Sequence, residues 1–333
     1  MLNRLKIEKL FSLYDYDIDL TNADGAMVKF ITAPNGYGKT TILDFIDSVM
    51  KLKFDKMFEI PFAKFVMCFR ESVPVEEEYH VTLQRSDDES DSSDSDVDGI
   101  VATQLDIFLS KVNAPNDTPI GGFKVIRRIG GKVETIGDTG NLDMFFAGRT
   151  CHYITDTRML KRKTDADADV AVMETLSMSQ YAMDMQRILQ TPDLRRKYAP
   201  RVEAFKRIIG RCEFVNKHLE VDERFGIRFA ADDGLGTKLS LDQLSSGERH
   251  IIIQVYELLF KAQDGTLVMI DEPELSLHMM WLMDYLKNLE EILKLRGFQC
   301  LVATHSPQVF NSLWSKTVDL FTLTQGSTHA ALS

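Results

Sequence analysis

The stretch Met27–Thr32 is mostly apolar and runs into Ala33-Pro34-Asn35-Gly36-Tyr37-Gly38. Beyond it, within Thr40–Met50, Ile42, Phe45, Ile46 and Val49 recur at helical spacing. The pattern predicts a strand, a glycine-rich turn and a helix in direct succession. Upstream, residues 3–31 read as two or three strands around a turn at Asn22-Ala23-Asp24-Gly25. Downstream, Phe62–Arg70 and Glu78–Arg85 read as two more strands, and Phe123–Ile136 as a hairpin around Gly130-Gly131. From about Asp167 to Leu219 the period turns helical. Over Arg201–Leu219 an apolar stripe joins Val202, Phe205, Ile208, Ile209, Cys212, Val215 and Leu219. Short strands return at Glu223–Ala230. A helix follows at Ile251–Phe260, and two apolar runs, Leu267–Ile270 and Leu301–Ala303, read as buried parallel strands.

The alternation of these elements predicts an α/β core interrupted by a long insertion. The expected order is a first lobe over residues 1–85, an acidic loop over 86–98, an insertion of strands and then helices over 99–240, and a second lobe over 241–333. No internal repeat is visible.

Composition changes this picture in one respect. The 333 residues carry a net charge of −11. Seven of the acids fall in the single run Ser86–Asp98, which holds no base. Without it the balance is 39 basic against 43 acidic residues, a net of −4. Acidity is therefore a property of one solvated loop, and it gives no ground for excluding nucleic acid. No apolar run approaches the roughly 18–20 residues of a membrane span. Four cysteines without a C-x-x-C pair fit reduced thiols in a cytoplasmic protein.

Four short segments carry candidate chemistry. The turn Ala33–Thr41 matches the phosphate-binding pattern G-x-x-x-x-G-K-[ST] at Gly38, Lys39 and Thr40, with Ala33 in place of the first glycine. Asn35, Gly36, Tyr37, Gly38, Lys39, Thr40 and Thr41 would supply backbone N–H groups and side chains to phosphate oxygens. Lys39 would reach the β- and γ-phosphates, and the Thr40 hydroxyl would ligate Mg²⁺. The second segment, Leu267–Glu272, places two carboxylates at the end of an apolar strand. There Asp271 would hold Mg²⁺ and Glu272 would polarise the attacking water. The third, Leu244–Arg249, puts Ser245, Ser246 and Gly247 at a helix start, where donors are free for an anion. The fourth ends an apolar strand at Thr304-His305, with the imidazole placed for a γ-phosphate. Taken singly, these segments also read as a glycine-rich turn, a surface acidic pair, a helix cap and a structural histidine. In this order and context they read together as an ATP site with Mg²⁺.

With these four segments in place, the sequence resembles the ABC-type ATPases. Leu244-Ser245-Ser246-Gly247-Glu248 matches the family signature LSGGQ with departures at Ser246 and Glu248. The resemblance implies a P-loop ATPase core with an N-terminal antiparallel β subdomain. It also implies a head-to-tail homodimer or higher oligomer, in which Ser245 and Gly247 of one subunit close over ATP held by another. His305 resembles the family's switch histidine. The form Asp271-Glu272-Pro273-Glu274…Leu277-His278 is similar to the RecF/SMC-like branch, including the OLD- and PtuA-like ATPases of bacterial defence. Transporter subunits typically carry DEPTSALD there. Ile154–Arg158 is similar to the branch segment I-x-x-x-R, with Thr157 where a glutamine is expected. Phe11, Tyr14 and Tyr16 are candidates to stack on adenine, and core packing also accounts for Phe11.

Two weaker signals remain. Asp94–Gly99 begins like a calcium loop, but Leu105 stands where the bidentate glutamate belongs, so a solvated linker describes it better. Arg187–Lys217 holds nine basic residues against three acids, with Arg158, Lys161, Arg162 and Lys163 nearby in sequence. This predicts a basic face for DNA or RNA, a solvated helix surface, or a dock for an acidic partner. Only 28 residues follow His305, and no Asp-x-Asp plus Glu cluster follows the core. A nuclease or toxin effector is therefore expected on a separate chain. The leading reading is a regulatory ATPase controlling that effector in anti-phage defence. The alternatives are a nucleotide-locked scaffold with little turnover and a RecF-like repair ATPase. A membrane-transporter motor fits less well, given the insertion and the D-E-P-E form.

Overall fold

The computed structural model describes residues 1–21, 27–54, 57, 59–71, 77–85, 103–113, 119–129, 132–136, 150–155, 168–239, 241–275, 277–311 and 313–324. The chain forms two compact units. One comprises Met1–Cys151 with Trp314–Ser333, the other His152–Leu313.

In the first unit, β1 (Leu2–Leu10) pairs antiparallel with β2 (Tyr14–Asp19). Leu2, Leu5, Ile7 and Leu10 are buried on β1, so one face is committed to a core. The spacing slips between Ile7 and Leu10, where the register shifts and Lys9 takes φ 53°, the mark of a β-bulge. β3 (Val28–Thr32) leads through the glycine-rich turn into α1 (Lys39–Met50). The strand is buried on both sides: four of its five residues are buried, Lys29 among them. It pairs in parallel with β15 (Thr317–Asp319). Ile42, Phe45, Ile46 and Val49 are fully buried along α1.

β4 (Lys64–Glu71), β5 (Glu77–Arg85), β6 (Thr103–Asn113), β7 (Pro119–Ile129) and β8 (Lys132–Ile136) extend the N-terminal sheet in the order β2-β1-β4-β5-β6-β7-β8. All neighbours are antiparallel except β5 and β6. The strands expected around Gly130-Gly131 are present. That turn, the turn at 22–25, the acidic run and the Asp94–Gly99 segment lie outside the described residues.

The second unit begins within β9 (Cys151–Ile154), which is followed by α2 (Ala168–Gln190) and α3 (Pro192–Gly210). β10 (Lys217–Asp222), β11 (Gly226–Ala231) and β12 (Lys238–Leu239) form an antiparallel sheet. This corrects the helical stripe expected through Leu219. The helix stops at Gly210, Val215 is 76% exposed, and Leu219 belongs to β10. Glu213 and Asn216 both adopt positive φ, which breaks a helix after one residue. Phe214, absent from the stripe, takes the buried position between them and stacks edge-on against Phe229.

α4 (Ser246–Tyr256) continues into a π-helical turn at Glu257–Lys261. Arg296, 4% exposed, holds the end of that turn by donating to the carbonyls of Leu259 and Ala262. β13 (Leu267–Asp271) is buried throughout and pairs in parallel with β14 (Gln299–Thr304). Between them lie α5 (Met279–Met283) and α6 (Tyr285–Arg296). Among the described residues no helix is long and apolar enough to cross a membrane.

Candidate functional site

The candidate residues fall into two groups, one in each unit. In the first unit the turn is set by two left-handed glycines, Gly36 at φ 90° and Gly38 at φ 84°. Gly38 caps α1, and a Cβ there would stand 2.8 Å from Leu10 Cδ2 and 3.2 Å from Phe11 Cε2. Beside Gly36 nothing lies within 4 Å of a Cβ position, so space is open against the backbone there. Ala33 is 5% exposed and is not among the residues of positive φ. Its methyl therefore occupies an ordinary conformation, and the turn does not need a glycine at that position.

Lys39 is buried, and its ammonium donates to the carbonyls of Ala33 at 2.9 Å and Pro34 at 3.3 Å. The turn thus wraps its own cation, while Asn35, Gly36 and Thr40 are exposed and Thr41 is half-buried. Tyr37 is held from below: Tyr16 donates its hydroxyl to the Tyr37 carbonyl at 2.8 Å. Tyr14 stacks on Tyr37 at 5.3 Å and on Tyr16 at 5.8 Å, and Phe321 meets Tyr37 edge-on. Burial of Tyr16 raises its phenol pKa well above the usual value. Of the aromatic candidates, Tyr16 and Phe11 are thereby engaged in supporting the turn. Tyr37, expected only as a backbone donor to phosphate, and Phe321, absent from the sequence reading, join Tyr14 in the cluster.

In the second unit, Asp271 closes β13 and is 9% exposed. Glu272 follows at φ 45°, with its N–H donated to Ala303 O at 2.9 Å. A left-handed glutamate is uncommon, and such strain concentrates at functional sites. One oxygen of Glu274 accepts the Thr304 hydroxyl at 2.7 Å and the His305 N–H at 2.8 Å, and lies 3.0 Å from His305 Nδ1. Glu272 Oε1 stands 3.8 Å from the same Nδ1. The strand ends of β13 and β14 therefore gather Glu272, Glu274 and His305.

Ser245 is the N-cap of α4. Its side chain accepts from Glu248 N, and Glu248 Oε2 accepts from Ser245 N, which makes a capping box. Ser245 and Ser246 are exposed and Gly247 is buried. Glu248, a departure from the signature, thus shapes the turn it belongs to. Burial works against its charge, but the Ser245 N–H and Lys217 hold its carboxyl below the ordinary range.

The expected basic face is largely neutralised. Among the described residues, eight of the nine cations in Arg187–Lys217 form ion pairs, all but Lys197, which lies over the Tyr198 ring. Five of the acids, Asp184, Glu223, Glu248, Asp264 and Glu291, fall outside that window, so counting within it overstated the surplus. Arg158, Lys161, Arg162 and Lys163, and Asp156–Arg158 of the I-x-x-x-R segment, lie outside the described residues.

Comparisons with known proteins agree with this architecture. A solved SMC head bound to the C-winged helix domain of ScpA superposes with a TM-score of 0.51 at 12% identity, covering 93% of this chain and 91% of that one. The family model described as "AAA domain, putative AbiEii toxin, Type IV TA system" matches residues 155–311. That match covers a little under half of the chain, and the likeness to the SMC head is one of fold. A further SMC head, from Thermotoga maritima, has a TM-score of 0.46 at 15% identity, over 93% and 91% of the two chains. Protein ea59 of Escherichia phage lambda is 30% identical over 126 residues, or 34% of this chain. The match spans about a quarter of that relative's length, 24%. The mixed α/β fold, its parallel strand pairs and its antiparallel β subdomain match the sequence expectation.

Proposed function

We propose that the protein is an ABC-type ATPase of the RecF/SMC-like branch that binds and hydrolyses ATP, closes head-to-tail as a dimer around it, and thereby controls a separate effector. The observation that carries hydrolysis is Glu272: a strained, half-buried carboxylate at a strand end, next to His305. The turn around Lys39 fits a polyphosphate. It has a buried ammonium, two left-handed glycines and open space beside Gly36. Lys39 leaves the Ala33 and Pro34 carbonyls for the β- and γ-phosphates, and the N–H groups from Asn35 to Thr41 hold the rest. Asp271 and Thr40 fit Mg²⁺ as hard oxygen donors, and the ion would neutralise charge developing on the phosphates. Glu272 accepts the proton of the attacking water, and His305 aligns it with the γ-phosphate. Ser245, Ser246 and Gly247 of the second subunit present hydroxyl and N–H donors to the same phosphate.

The effector reading is supported by the company the chain keeps. The family matched over residues 155–311 is described by a toxin of a type IV toxin–antitoxin system, and a partial relative belongs to a phage. We place the protein in the cytoplasm, in the conflict between phage and host, with a nuclease or toxin on a neighbouring gene. The locally paired cations leave DNA or RNA a lesser role.

Glu272→Gln decides the hydrolytic part. The variant is expected to retain MgATP through gel filtration as a dimer and to lose turnover by at least ~10²-fold. Unchanged turnover would remove Glu272 from the chemistry, and failure of the folded wild type to bind MgATP would remove the ATP site. Plaque counts on cells carrying the gene with its neighbours test the defence role. Protection should vanish with Glu272→Gln, and equal plaque numbers with and without the gene set would end that reading.

A further inference from the structure

Glu274 enters the sequence only as a letter of a branch motif. In the structure its side chain is 6% exposed, and its Oε1 collects the Thr304 hydroxyl, the His305 N–H and His305 Nδ1 within 3.0 Å. Its Oε2 is buried with no hydrogen-bond partner among the described residues. The charged head is thus committed to the Thr304-His305 corner. Glu272, at 3.8 Å from the same nitrogen, is too far to compete for its proton.

A carboxylate only accepts hydrogen bonds, so an ionised Glu274 oxygen 3.0 Å away favours the proton on Nδ1. In the neutral ring this leaves Nε2 bare, and His305 as a whole is exposed. The same buried acceptor also pins the ring through its own backbone N–H. We propose that Glu274 is a positioning residue that fixes the tautomer and direction of His305, so that Nε2 is the nitrogen offered to the reacting groups. Glu272 is thereby left to water. The orienting carboxylate and the proton-accepting carboxylate are two different residues, two positions apart on one turn. The catalytic consequence rests on the hydrolytic reading above, whereas the tautomer does not.

Two measurements on the full chain separate these levels. Nitrogen-15 shifts of the His305 ring should report a protonated Nδ1 in the wild type, and exchange between tautomers in Glu274→Ala. A wild-type ring protonated at Nε2 alone would overturn the proposal, whatever the enzyme does. In steady-state ATPase assays Glu274→Ala and His305→Ala should each lower kcat by about 10²-fold, with KM within about threefold. The double variant should fall no further than either single one. Glu274→Gln, which keeps an acceptor oxygen, should recover at least about tenfold of the loss. Wild-type kcat in a Glu274→Ala protein, or additive losses in the double variant, would overturn the positioning role. A melting temperature for each variant separates misfolding from misplacement. If the wild type turns over no ATP, the hydrolytic reading fails and the nitrogen shifts still decide the tautomer.

Discussion

Lys217 Nζ lies 3.1 Å from Glu248 Oε2, and both side chains are largely withdrawn from water. The same oxygen accepts the Ser245 N–H at 2.8 Å. A cation on β10 is therefore bonded to the carboxylate that shapes the start of α4. Removing one member of a buried pair leaves the other uncompensated. Lys217→Met is expected to lower unfolding stability by about 3 kcal/mol, read from urea denaturation. Lys217→Arg should lose less than half of that. If Lys217→Met costs under about 0.5 kcal/mol, the pair contributes as little as an exposed one does.

The two glycines of the Lys39 turn separate backbone strain from crowding. Gly36→Ala meets open space and only the penalty of positive φ, about 1 kcal/mol. Gly38→Ala adds a collision with Leu10 and Phe11, and should cost about 1–3 kcal/mol more. The larger loss should be accompanied by at least tenfold weaker MgATP binding, measured calorimetrically. Equal melting temperatures for the two variants would show that Leu10 and Phe11 give way freely.

His250 sets a pH dependence. It is 3% exposed on α4, and burial lowers its pKa to about 4 from 6.5. Its Nδ1 makes no hydrogen bond among the described residues. Below pH 6.5 the unfolded chain takes up a proton that the folded chain refuses until about pH 4. Stability from this group is therefore full above pH 6.5 and is lost as pH falls toward 4, by up to about 3 kcal/mol. Melting temperatures at pH 7.0 and 4.5 should fall farther in the wild type than in His250→Gln. Parallel curves would show that the ring titrates freely in the fold.

Much of this was legible in the sequence, for a physical reason. The core strands and α1 are buried on one or both faces, so burial writes itself into letter spacing. Ser245 was readable as a cap because a short side-chain oxygen at a helix start can accept the free N–H groups there. The helical stripe after Gly210 misled because an apolar period persists through Val215 while Glu213 and Asn216 turn the backbone left-handed. Periodicity does not register φ. Lys217–Glu248 and the Glu274 contacts join residues 30 or 31 positions apart, and no local pattern encodes such pairs. The aromatic cluster at Tyr37 likewise draws Phe321 from the far end of the chain.

The left-handed backbone at Glu272 has a consequence for how this position can change. Glycine would adopt φ 45° without the steric cost that a Cβ brings. A chain drifting without selection would then gain stability by discarding the carboxylate. Glu272→Gly should melt higher than Glu272→Ala while both are equally inactive. Retention of glutamate across natural variants would then record a demand for chemistry, since folding alone favours its loss.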